Sequence, residues 1–172
     1  MAPSHAVTPA RMLAVYLRHH LAASKGGLDL FERSARSQSS PEARRELRVL
    51  ADEVAQDRQR LAAILQRLGI PRPRMAEILV GVSETVARLK PNGTLIRRSP
   101  LSDVVELEAL SAAVEAKRLG WVTLRVVSER DGRLDTEDFD ELIRRASDQQ
   151  DHVEFLRRQA VASALTPAVP TR

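Results

Sequence analysis

The chain has 172 residues, of which 43% are hydrophobic, 29% charged and 3% aromatic. That length fits one domain with a core that needs no staples, and zero cysteine excludes disulfides, thiolate nucleophiles and cysteine-ligated zinc or iron–sulfur centres while fitting a reducing, cytoplasmic compartment. The formal net charge of +4 is the small excess of 27 basic over 23 acidic side chains, interleaved along the chain, and it does not by itself demand a phosphate partner.

Residues 1–8 and 166–172 carry Pro and small residues and read as frayed tails. The opening MAPSHAVTPARM lacks a basic stretch followed by an apolar one, and no uninterrupted apolar run approaches ~18 residues, so neither a secretion signal nor a membrane span is expected. A first helix is expected over about 9–38, with Leu13, Leu17, His20, Leu21, Ser24, Leu28, Phe31 and Ala35 on one stripe of period 3.6. Ser40 followed by Pro41 is an N-cap with proline at the first helical position. So short a link makes the second helix, about 41–68, antiparallel to the first. Its stripe is Ala43, Leu47, Leu50, Val54, Leu61, Leu65 and Leu68, and Gly69 with Pro71 ends it.

A shorter amphipathic helix is expected over about 73–90, carrying Met75, Ile78, Val82, Val86 and Leu89 and closed by Pro91, Asn92 and Gly93. After it, Ser102 is placed to cap a third long helix, about 102–130, with Leu107, Leu110, Val114, Trp121 and Ser128 inward. That helix is apolar on its other side too, at Leu101, Val105, Ala112, Ala116, Leu119 and Val126, which calls for a second cover. The crossover helix or a second subunit would supply it, making a homodimer the partner the sequence offers. Asp135 caps a fourth helix, about 135–165, and Leu134 with Phe139 forms a hydrophobic staple. Two helical hairpins joined by a link of about thirty residues give an all-α fold, a ferritin-like four-helix bundle with a long crossover that contains a short extra helix.

The helix order, together with the stretch LKPNGTLIRRSPLSDVVELEAL, resembles a group of ferritin-like helical proteins of high-GC bacteria, over about Tyr16 to Leu165. The resemblance implies the fold and a bacterial source, and supplies no reaction.

Near mid-length each long helix carries polar residues on or beside its apolar stripe. They are His20, then Asp57 and Arg58, then Lys117 and Arg118, then Gln149 and Gln150. A helical bundle builds its cofactor or metal sites on such facing positions. A di-iron site needs a Glu from each of two helices and Glu-x-x-His from the other two. Here the second helix has Glu53 then Gln56 and the fourth has Gln149 then His152, so both pairs are incomplete, and Lys117 and Arg118 would repel a cation. The leading expectation is therefore a paired structural layer, with Asp57 bonded to Lys117 or Arg58, and His20 and Gln149 satisfying the remainder. No cofactor is expected, and the function is that of a non-catalytic, metal-free scaffold or interaction protein. One alternative is a degenerate di-iron or manganese oxidase using His20, Glu53, Asp57 and Glu106. Another is nucleic-acid binding through the arginine pairs at 44/45, 97/98, 144/145 and 157/158, disfavoured by their acidic neighbours and by the scarcity of aromatic stacking platforms. No phosphate-cradling Gly loop, nucleophile elbow or HExxH is present. Gly26 and Gly27, inside the first helix, read as a tight-packing or bending position.

Overall fold

The computed structural model describes residues 8–73 and 99–166. All regular structure among them is helical: α1 (Pro9–Ser37), α2 (Pro41–Arg67), α3 (Pro100–Ser128) and α4 (Thr136–Leu165). The crossover helix expected over 73–90, apart from Pro73, and both tails, apart from Thr8 and Thr166, lie outside the described residues.

Each helix starts where a side-chain oxygen meets an orphan backbone N–H. Thr8 Oγ1 accepts from Arg11 N at 3.3 Å, Ser40 Oγ from Ala43 N at 3.2 Å, and Asp135 Oδ1 from Glu137 N at 3.0 Å. Pro9, Pro41 and Pro100 each occupy the first helical position, where a missing N–H costs nothing. For α3 the cap is Ser99 and not Ser102. The helix begins two residues earlier than expected, and Ser102 becomes the return half of a capping box, its Oγ accepting from Ser99 N at 3.3 Å. The α2 terminus is a Schellman motif. Ile70 N donates to Leu65 O at 2.8 Å and Gly69 N to Gln66 O at 3.0 Å, with Gly69 at φ 68° as that geometry requires.

α1 packs on α2 and α3 on α4, and the two hairpins join through α1 against α3 and α2 against α4. Both inter-hairpin contacts are antiparallel. Along α1 and α3 the meeting points run Ser37 with Glu106, Gly27 with Ala113 and His20 with Gly120; along α2 and α4 they run Glu46 with His152, Glu53 with Gln149 and Asp57 with Arg145. Consequently α2 and α3 are parallel, and the end of α2 and the start of α3 lie at opposite ends of the bundle. At 1.5 Å per residue the 27 residues of α2 separate those points by about 40 Å.

The core divides into two apolar clusters. Phe31, Leu47, Leu107, Leu110, Val114 and Val153 anchor one, and Leu17, Leu61, Leu65, Trp121, Phe139 and Leu142 the other. Buried Leu134 and Phe139 belong to the second cluster, as the staple at the α4 start requires. The inward stripe of α3 is buried as expected. Its outer stripe, Leu101, Val105, Ala112, Ala116, Leu119 and Val126, is exposed among the described residues. No described helix is long and apolar enough to cross a membrane.

Candidate functional site

Between the two clusters the bundle carries a polar layer drawn from α2, α3 and α4. Asp57 sits one turn past Val54 and one before Leu61, so the helical period that buries those residues buries its carboxylate too, to 3% side-chain exposure. Lys117 lies at the same level of α3, one turn beyond Val114, and its ammonium donates to Asp57 Oδ2 at 2.5 Å. The same Nζ donates to Gln149 Oε1 of α4. The Gln149 amide group faces the other way, with Nε2 donating to Glu53 Oε2 at 2.8 Å and lying 3.4 Å from Asp57 Oδ2. Arg145, one turn before Gln149, places Nε 3.4 Å from Asp57 Oδ1 and donates to the Glu53 carbonyl at 3.1 Å and to Gln56 Oε1 at 2.9 Å.

Two carboxylates, one ammonium and one guanidinium thus form a neutral cluster with the amide as its bridge. Burial pulls the Lys117 ammonium below its ordinary value, and the adjacent Asp57 carboxylate opposes that pull. Desolvated charges of this kind persist only when paired and hydrogen-bonded. The electrostatic consequence for chemistry is direct: the Asp57 carboxylate, which a metal cation would need as a ligand, is already taken by an ammonium. Among the described residues no three His, Asp or Glu side chains are grouped to hold a metal ion.

The expected layer is thus assembled in part. Of the two partners offered to Asp57, Lys117 is the one used. Arg58 makes no ion pair with Asp57, and its buried Nε has no hydrogen-bond partner among the described residues. Arg118 forms a two-point ion pair with Glu115 on its own helix, Nε and the terminal nitrogen each at 2.8 Å. Gln150 donates to Ser111 Oγ at 2.6 Å. His20 does not join Gln149, whose amide is committed to α2 and α3. Because Gly27 meets Ala113 and His20 meets Gly120, the level of Lys117 on α1 falls near Ala23 and Ser24, one turn from His20. Glu106 is farther still, at the α1–α2 turn, where its carboxylate accepts from Ser37 Oγ at 3.1 Å and Gln38 Nε2 at 3.3 Å. The set His20, Glu53, Asp57 and Glu106 is therefore not brought together. His152 is turned to the outer side, 3.1 Å from Glu46.

Arg145 is the member that sequence reading passed over, although its i, i+4 relation to Gln149 placed it on the same face. Gly120 was passed over as well. A Cβ built there would lie 3.1 Å from His20 Nδ1 and 3.3 Å from Cε1, so the missing side chain is what admits the imidazole. His20 also packs on Tyr16, ring centroids 4.4 Å apart, and Tyr16 in turn donates to Thr123 Oγ1 at 3.0 Å. Burial, and to a lesser degree the neighbouring His19, pushes the His20 pKa down.

On the α1–α3 side of the layer lies an apolar cavity of about 230 Å³, with Leu17, Phe31, Val54 and Leu124 in its wall and Gly26, Gly27, Ala112 and Ala116 at the helix approach. Its lining also includes the polar residues Tyr16, His20, Ser24, Asp57, Arg58, Lys117 and Trp121. The opposite side, between α2 and α4, is a shallower cleft of about 300 Å³ flanked by Glu53, Arg145, Asp148 and His152. Those four are engaged with Gln149, Asp57, Arg144 and Glu46 respectively.

Apart from the exposed Arg45, the described arginines of these pairs are engaged within the molecule. Arg44 caps the Gln38 carbonyl at 2.7 Å, Arg144 pairs with Asp148, and Arg157 and Arg158 share Glu154, whose carboxyl they hold down to about 2. Residues 97 and 98 lie outside the described residues. No family model, curated protein or solved structure matches the chain.

Proposed function

We propose that this protein is a cytoplasmic, metal-free, ferritin-like bundle that works as a non-catalytic scaffold or interaction protein. The observation that carries the reading is the Lys117 ammonium, held by Asp57 and Gln149 at the level where facing helices of a ferritin-like protein would present metal ligands. The ferritin-like part is supported by direction: parallel α2 and α3, with their connected ends a bundle length apart, require a single long crossover between two hairpins. The interaction part is supported by the exposed stripe from Leu101 to Val126, which offers its apolar face to a second copy of the chain.

Elemental analysis of protein purified without a metal-binding tag tests the first half, with neither iron nor manganese expected at stoichiometric level. Stoichiometric metal would put the degenerate oxidase ahead of the scaffold reading. Light scattering on the full chain tests the second half. A dimer is expected, Leu119→Glu is expected to dissociate it, and a strict monomer at tens of micromolar removes this surface from the reading.

A further inference from the structure

The outer stripe of α3 is patterned so that a second copy fits it in one direction only. Val105, Ala112, Leu119 and Val126 recur every seven residues and are all exposed among the described residues, Val105 to 46%, Leu119 to 49% and Val126 to 60%. A strict seven-residue spacing stays in contact with a partner helix that crosses at about +20°. Four equally spaced positions are also their own complement under a two-fold axis, the first opposite the fourth and the second opposite the third. Val105 then meets the partner's Val126, and Ala112 meets the partner's Leu119, so the largest side chain of the series lies against the smallest. A shift by one repeat strips one position in each copy of its apolar partner. A parallel pair would set Ala112 against the partner's Ala112 and Leu119 against the partner's Leu119, a gap beside a bulge.

Charge makes the same choice. The edge of the stripe that faces α4, marked by Glu108 beside Arg157 and Arg125 beside Asp140, carries acids first, Glu108 and Glu115, and bases after them, Arg118 and Arg125. A two-fold axis lays this edge on itself reversed, which levels Glu108 with the partner's Arg125 and Glu115 with the partner's Arg118. A parallel pair would set acid against acid and base against base, an arrangement that repels. Arg118 already holds Glu115 of its own helix, and Arg125 holds Glu129 and Asp140, but a guanidinium has five N–H donors and can serve a further carboxylate. We propose that two copies of the chain join through α3 in an antiparallel two-fold contact centred between Glu115 and Ala116, with Ala112 seating the partner's Leu119 and the Glu115 and Arg118 side chains of both copies alternating around the axis. The inference rests on the dimer reading of this stripe and adds its direction and register.

The chain has no cysteine, so single cysteines placed on α3 report the contact without background. Full-length Ala116→Cys, next to the axis, is expected to form a covalent dimer on mild oxidation. Val105→Cys and Val126→Cys stand about 32 Å apart along α3, so each alone is expected to stay uncross-linked, while an equimolar mixture of the two yields the covalent dimer. Arg118→Glu is expected to weaken the dimer about tenfold, and the reversed pair Glu115→Arg with Arg118→Glu to restore it. Light scattering on the wild type separates the failures. A monomer removes the dimer reading and this contact with it. A dimer in which Ala116→Cys does not cross-link, as when residues 74–98 take this face, overturns the contact alone. So does a dimer in which Val105→Cys cross-links to itself, or one whose Kd is indifferent to Arg118→Glu.

Discussion

Replacing Lys117 by Met keeps the unbranched stem, shortened by the one nitrogen, and removes its charge. The variant leaves Asp57, 3% exposed, with Gln149 and an Arg145 nitrogen 3.4 Å away whose geometry does not make a hydrogen bond to it. Breaking one partner out of a buried pair typically costs ~3–5 kcal/mol, because the surviving charge stays desolvated. Arg145 offsets part of that loss, so the expected destabilisation is about 3 kcal/mol, at the lower end of the range. In a chain of this length each kcal/mol lowers Tm by roughly 2–4 °C, which puts the fall near ~6–12 °C. The assay is urea and thermal unfolding of the wild type, Lys117→Met, Asp57→Leu and the double variant. Each single variant is expected to be destabilised. The double variant is expected to recover most of the loss, since an apolar pair of similar volume is often neutral or stabilising. Additive losses, or an unchanged Tm in Lys117→Met, would refute the claim that these groups stabilise each other.

The two glycines facing the α1–α3 contact are expected to respond with opposite sign. Gly27→Ala puts Cβ in ordinary contact with Ala113, at 3.9 Å, so helix propensity prevails and stability rises by about 1 kcal/mol. Gly120→Ala drives Cβ into the His20 ring, where overpacking of ~1–3 kcal/mol outweighs that gain, and the loss should reverse in a His20→Ala background; denaturant midpoints of the four variants decide. Since the folded-state pKa of His20 lies below 6.5, the unfolded chain binds more protons, so stability is full above that pH and falls as pH drops through the window beneath it. Urea melts at pH 7.5 and pH 5 are expected to show a smaller difference in His20→Gln than in the wild type, and equal differences would contradict the assignment. Filter binding to DNA and RNA is expected to be weak and nearly insensitive to salt, whereas a steep salt slope would mean that the arginine pairs do engage phosphates.

Much of the architecture was legible because helices declare themselves locally. Ser40–Pro41, Gly69 and Asp135 ended or began helices where the sequence placed them, since a cap needs only its own turn. Ser102 was misjudged as the α3 cap for the same local reason: Ser99 and Ser102 are both competent, and the preceding position with Pro100 behind it won. The 3.6 period also predicted that Asp57, Lys117 and Gln149 would share a buried level, and the structure joins them. Periodicity fixes which face of a helix turns inward but not how far neighbouring helices slide along one another. His20 was therefore assigned to a layer that α1 in fact meets near Ser24.

By itself, then, the sequence determined four amphipathic helices, the caps of α2 and the start of α4, the hairpin order and an ion-paired interior, because each depends on the chain within a few turns. Only the tertiary structure decided that Lys117 and not Arg58 takes Asp57, that Arg145 completes the cluster, and that Gly120 makes room for His20. It also left the buried Trp121 Nε1 and Arg58 Nε without hydrogen-bond partners among the described residues. Those outcomes depend on the axial offset and separation of helices distant in sequence, which packing of whole faces sets and no local pattern encodes.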